Sequence, residues 1–253
     1  MRALIDERAL KVALQPVVDL STRKPFAYEA LVRSDWPAFA SPPRMFEAAV
    51  REGCVGELGR LIREVAIDLA PDHRLFLNVH PSELNERWLI QPDDPIFRHT
   101  EDVFLEITES VPLSHFVLCQ SMLQEIRGKG IYLVVDDLGA GYSNLKYIVD
   151  LSPRVVKLDR ELVAGLTRGS RLHRLVTSLV RLCRELDASV VAEGIETADE
   201  LRAVCEAGVR YGQGYLLARP AFAAPPVHWP EHVPSRAGDA YVDAVPPSTR
   251  SDS

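Results

Sequence analysis

Residues 131–144 read Ile131-Tyr132-Leu133-Val134-Val135-Asp136-Asp137-Leu138-Gly139-Ala140-Gly141-Tyr142-Ser143-Asn144, an aliphatic run that stops at two adjacent carboxylates and a glycine-rich turn. A β-branched segment of this length fits a parallel strand covered on both faces, with its last residues at the C-terminal end. Barrel and open-sheet enzymes keep their chemistry at that end. Taken alone, the two aspartates could equally cap a turn. The neighbouring stretches must decide.

Working outward, the pattern recurs. Val155-Val156 precede Lys157, and Val190-Val191-Ala192 precede Glu193. Upstream, residues 26–32 carry Glu29, residues 75–79 carry Asn78 and residues 103–107 carry Glu106, each in a run that reads as a strand. Residues 12–20 read as a strand weakened by Pro16, and 209–217 as the last strand. Between them lie helical stretches at 43–50, 55–69, 114–127 and 170–188, and one opened by the capping-box pair Thr197 and Glu200 and closed by Gly208. Seven or eight strands alternating with helices predict a single-domain α/β fold, a TIM-like (β/α)8 barrel over 1–237, ahead of an open doubly wound sheet. Beyond Pro220 the composition shifts to Pro, Ala, Ser and Asp, and 238–253 is expected to be a disordered tail.

The chain has 253 residues, of which 47% are hydrophobic and 26% charged, so a large core needs no disulfide or metal staple. Cys54, Cys119, Cys183 and Cys205 lie far apart, as buried thiols in a reducing compartment would, and the expected location is cytoplasmic. No apolar run approaches the ~18 residues of a membrane span, and Asp6 and Glu7 stand where a signal peptide would be apolar. A formal charge of −7 argues against a nucleic-acid polymer as partner.

In a barrel, Asp136, Asp137, Lys157 and Glu193 share one rim with Glu29, Asn78, Glu106 and Gln213. Gathered carboxylates repel one another and raise one another's pKa values, a conflict that a divalent cation resolves. The donors are all oxygen, which suits Mg²⁺ or Mn²⁺ better than zinc. Their number exceeds what one Mg²⁺ takes from protein, favouring two metals and an in-line phosphoryl displacement. A dinucleotide-binding turn at Gly139-x-Gly141 is disfavoured, because Asn144 stands at the third glycine position and the upstream aspartates would repel phosphate.

These residues sit in a longer series. Tyr28-Glu29-Ala30-Leu31-Val32-Arg33, Asn78-Val79-His80-Pro81, Leu105-Glu106-Ile107-Thr108-Glu109-Ser110, Asp136 to Ser143, Lys157-Leu158-Asp159-Arg160, Val191-Ala192-Glu193-Gly194-Ile195-Glu196-Thr197 and Gln213-Gly214-Tyr215 occur in one order. From about Leu10 to Pro220 the chain closely resembles the EAL domain of cyclic-di-GMP phosphodiesterases. The resemblance implies a TIM-like barrel with one strand reversed, and hydrolysis of cyclic di-GMP to linear pGpG with Mg²⁺ or Mn²⁺, two per site. It implies Glu29, Asn78, Glu106, Asp136 and Glu196 as metal ligands, with Asp137 for the second metal. Lys157 would orient or acidify the attacking water, and Glu193 is the candidate general base, proton removal by the metals themselves being the alternative. Gln15, Arg33 and Gln213 match substrate-contacting positions.

Leu138 and Ala140 depart from the usual Asp-Phe-Gly-Thr-Gly loop, and His80 replaces the usual Ser. These changes spare the ligands but put in question the loop that Glu109 helps hold and its coupling to a homodimer. A non-hydrolysing cyclic-di-GMP receptor acting through a protein partner, and a regulatory domain without a nucleotide, are the alternatives; the complete ligand row favours the enzyme. Ca²⁺ is expected to inhibit by occupying the site without turnover. With no sensory or cyclase domain ahead of Leu10, regulation is expected from oligomerisation, a partner, the tail or expression.

Overall fold

Strands form where aliphatic and aromatic residues are bounded by turn formers. They are β1 (Lys11–Asp19), β2 (Lys24–Arg33), β3 (Leu75–Asn78), β4 (Val103–Thr108), β5 (Tyr132–Leu138), β6 (Val155–Leu158), β7 (Ser189–Ala192) and β8 (Tyr211–Gly212). The computed structural model describes residues 1–84, 88–108, 122–140 and 145–235. Among these, the eight strands close in chain order into one barrel. β1 runs antiparallel to β2 and β8, and the remaining neighbours are parallel. The expected TIM-like barrel with one reversed strand is what the chain forms.

The helices are α1 (Arg2–Asp6), α2 (Pro42–Arg51), α3 (Val55–Leu69), α4 (described over 122–128), α5 (Lys146–Leu151), α6 (Arg160–Val163), α7 (Arg171–Glu185) and α8 (Ala198–Glu206). Their ends follow local chemistry. Ser170 caps α7 by accepting the His173 N–H, and Thr197 and Glu200 cap α8 reciprocally. Gly208, at φ +83°, turns the chain out of α8.

Two strands differ from expectation. Pro16 does not interrupt β1, which runs unbroken for nine residues. The N–H groups of Leu14 and Leu20 point away from β2, to the carbonyls of Ala221 and Arg210. Pro16 lies on that same edge, where β8 pairs with only Val18 and Asp19, so no ladder hydrogen bond is lost. β8 is correspondingly short. After Gly212 the chain turns back instead of continuing as strand, with Leu217 and Ala218 donating to the Gly214 carbonyl. Gly214 permits this because a Cβ there would lie 2.1 Å from the Ile195 carbonyl oxygen.

Apolar side chains fill the space between barrel and helices, and α1, α2 and α3 enclose a second cluster around Leu4, Met45 and Leu58. The segment after β8 stays on the barrel: Ala221 bridges Leu14, and Val233 is buried. Among the described residues no helix is long and apolar enough to cross a membrane. Glu109, the stretch 141–144 and the tail expected at 238–253 lie outside the described residues.

Candidate active site

Each strand places one apolar residue inside the barrel: Val17, Ala27, Phe76, Phe104, Val134, Val155, Val191 and Tyr211, which pack together. Side chains along a strand return to the same face every second residue. Two positions onward, toward the C-terminal rim, stand Glu29, Asn78, Glu106, Asp136, Lys157, Glu193 and Gln213. On the reversed β1 the count runs backward, from Val17 to Gln15. The candidate site is therefore the next interior layer, resting on an apolar plug.

Lys157, on β6 and 1% exposed, stands at its centre. Its Nζ lies 2.6 Å from Glu106 Oε1, 2.8 Å from Glu193 Oε1, 3.2 Å from Asp136 Oδ1 and 3.3 Å from Glu29 Oε2. Gln213 Nε2 donates to Glu29 Oε2 at 2.7 Å and to Gln15 Oε1 at 3.2 Å, and Gln15 Nε2 donates to the Ala218 carbonyl. Asn78 Nδ2 donates to Glu29 Oε1 at 3.1 Å. Glu29, drawn on from both sides, is the best satisfied of the carboxylates.

Asp137 reaches the site by another route. Consecutive residues of a regular strand face opposite ways, yet between Val135 and Leu138 the β5–β6 register shifts, so Asp136 and Asp137 together oppose Lys157. This is a bulge, with Asp137 at φ +59°. It turns the second aspartate inward: Asp136, Asp137 and Glu193 each place an oxygen within 4.8 Å of the others.

Two expected residues stand apart from the cluster. Glu196 lies beyond β7 and pairs with Arg160, Nη2 to Oε1 at 3.1 Å. Arg33, at the end of β2, donates Nη1 to its neighbouring carbonyl of Val32. A cleft of ≈ 200 Å³ opens over the layer, lined by Gln15, Glu29, Arg160, Glu193, Gly194, Glu196, Gln213, Gly214 and Tyr215. Arg160 and Tyr215 received no role from the sequence, although both fall inside motifs that did.

Burial dominates the electrostatics. It raises Glu106, which Glu29 pushes further, well above the ordinary carboxylate range despite Lys157. It lifts Glu193 to about 8 and, with the neighbouring Asp136, Asp137 to about 6. Asp136 is raised too, against the pull of Lys157. Glu29 differs: burial pushes it up, but Lys157, Gln213 and Asn78 together hold it below its ordinary value. Burial disfavours the Lys157 ammonium, and Asp136, Glu106, Glu193 and Glu29 overcome this and raise it well above normal.

These residues fit a divalent cation. Among the described residues, five carboxylates face one ammonium, and Glu106 Oε2 is buried with no hydrogen-bond donor. An oxygen-only donor set with this excess of negative charge suits Mg²⁺ or Mn²⁺.

Known proteins resemble this chain in sequence and in fold. Cyclic di-GMP phosphodiesterase PA2567 of Pseudomonas aeruginosa is 30% identical over 233 residues, covering 87% of this chain and 40% of that protein. Among solved structures, the calcium and cyclic-di-GMP complex of Klebsiella pneumoniae BlrP1 matches with TM-score 0.76 and 30% identity, over 87% of this chain and 58% of that one. Its manganese and cyclic-di-GMP complex matches with TM-score 0.71 and 31% identity, over 84% and 56%. The chain thus spans about half the length of these relatives, or less. The EAL domain family model matches residues 1–220, nearly the whole barrel, and the chain belongs to the EAL domain family.

Proposed function

We propose that this chain is a metal-dependent cyclic-di-GMP phosphodiesterase that hydrolyses its substrate to linear pGpG. The observation that carries this reading is the interior layer of five carboxylates around Lys157, charged far beyond what one ammonium neutralises. The relatives named above, a phosphodiesterase of cyclic di-GMP and metal complexes with that nucleotide, support this choice of substrate.

Glu29, Asn78, Glu106 and Asp136 would hold one Mg²⁺ or Mn²⁺, with Asp137 turned in by the bulge for a second. When bound, the cations would polarise the scissile phosphate and the attacking water. Glu193, 2.8 Å from Lys157 Nζ and with an oxygen within 4.8 Å of those of Asp136 and Asp137, stands where it can take the water's proton. Lys157, kept charged by its neighbours, steadies the charge that develops on the phosphoryl oxygens. The water oxygen bonds to phosphorus, the bond to the 3′ oxygen breaks, and that oxygen leaves as a hydroxyl after taking up a proton. Gln213 and Gln15 hold Glu29 in place throughout. The cleft lined by Gln15, Arg160, Glu196 and Tyr215 opens over this layer, and the dinucleotide would lie there.

The test is incubation of the purified chain with cyclic di-GMP and Mg²⁺ or Mn²⁺. Formation of pGpG is expected, with Ca²⁺ binding but not supporting turnover. Tight nucleotide binding without pGpG in either active metal would overturn the reading in favour of a receptor.

A further inference from the structure

We propose that Arg160 is a substrate-binding residue, holding a phosphodiester oxygen of the nucleotide from the cleft wall, and that Glu196 orients it. This rests on the phosphodiesterase reading and deepens it. A cyclic dinucleotide brings negative charge to a layer already rich in carboxylates. Lys157 is engaged with four of them and is not among the residues lining the cleft. Among the described residues that line the cleft, Arg160 carries the positive charge.

Its position is set from two sides. The aliphatic stem lies on Gly194, where a Cβ would come within 2.5 Å of Arg160 Cγ, and the guanidinium meets Glu196 at 3.1 Å. Gly194 takes φ +66°, a conformation that glycine adopts freely, so the loop carrying Glu193 and Glu196 is shaped to receive that stem. The side chain is 62% exposed, and one carboxylate contact occupies little of a fork with five N–H donors. The remaining donors suit a phosphate oxygen pair. Arg33, the fork expected from the sequence, donates Nη1 to the Val32 carbonyl and is not among the residues lining this cleft.

The experiment compares Arg160→Ala, Arg160→Lys and Glu196→Gln with the wild-type chain. It measures steady-state hydrolysis of cyclic di-GMP in Mn²⁺, nucleotide affinity in Ca²⁺, and Mn²⁺ affinity alone. Loss of a charge-assisted contact should raise KM about 10-fold or more in Arg160→Ala, with kcat changed by less than about 3-fold. Kd in Ca²⁺ should rise in parallel, and Arg160→Lys should recover part of the loss. Glu196→Gln should shift KM the same way, to a smaller extent, and leave Mn²⁺ affinity unchanged. An unchanged KM in Arg160→Ala would overturn the proposal. So would a loss of Mn²⁺ binding in Glu196→Gln as large as that in Glu106→Gln, since Glu196 would then be a metal ligand and Arg160 only its counterion. A wild type that neither binds nor cleaves the nucleotide would overturn the phosphodiesterase reading itself, before any variant is compared.

Discussion

Two clusters of buried charge stand among the described residues, and they are built on opposite principles. In the first, Arg63 on α3 donates to Glu83 Oε2 at 2.6 Å and to Asp94 Oδ2 at 2.7 Å. The other oxygens are also used: Glu83 Oε1 accepts from the His80 N–H and Asp94 Oδ1 from the Ile96 N–H. Gly59 makes the room, since a Cβ there would lie 2.0 Å from Glu83 Oε2. One cation and two carboxylates are thereby closed on themselves, tying the loop beyond Asn78 to α3. The second cluster sets one ammonium against five carboxylates and leaves Glu106 Oε2 without a donor among the described residues. The first cluster is saturated by its own members; the second has carboxylate oxygens to spare, which is what a cation site requires.

Substitution separates the two most sharply. Glu106→Gln should lower hydrolysis by about 10³-fold or more, as loss of a metal ligand at the reacting centre would, while melting of the metal-free protein stays level or rises. Arg63→Met should do the reverse. It strands two buried carboxylates and should cost about 3–5 kcal/mol of stability by denaturant titration. A destabilised Glu106→Gln, or an Arg63→Met variant as stable as wild type, would erase the distinction.

pH tests the same contrast less drastically. The raised carboxyls of Glu106, Asp136, Asp137 and Glu193 keep protons in the folded, metal-free protein that an unfolded chain gives up above about pH 4–4.5. Folding therefore binds protons, and metal-free stability should fall as pH rises from about 4.5 through the Glu193 value of about 8. Glu29, lowered, opposes this in part. Thermal melts across that range with chelator present should show the decline, and saturating Mn²⁺ should flatten it. Smallest of all, Asp137→Gly should add about 1 kcal/mol to metal-free stability by relieving a left-handed backbone at φ +59°, while impairing turnover.

Much of this layer was legible before any coordinates. A valine, alanine or aromatic residue followed two places later by a polar one is visible at Ala27 and Glu29, Phe104 and Glu106, Val155 and Lys157, because strand periodicity is a local property. Gln15 was harder, since on the reversed β1 the polar residue precedes its apolar partner, and only the family resemblance pointed to it. The inward turn of Asp137 depends on a bulge that neighbouring strands impose. The Arg63 cluster escaped notice altogether: its three members come from a helix, a 3-10 turn and a loop, and no spacing along the chain brings them together. Gly59, one turn before Arg63, and the pair Asp93-Asp94 were the faint signals. Arg160 and Glu196 met for the same tertiary reason.

The central claim is that the carboxylate layer is charged in excess so that divalent cations can replace its protons. Calorimetric titration of the metal-free protein with Mn²⁺ at pH 7, repeated in buffers of different ionisation enthalpy, measures both binding and the protons released. The account predicts that Mn²⁺ binds with net proton release, and that the release shrinks in Glu193→Gln. Absence of Mn²⁺ binding by a folded wild type, or binding with no proton released, would contradict it.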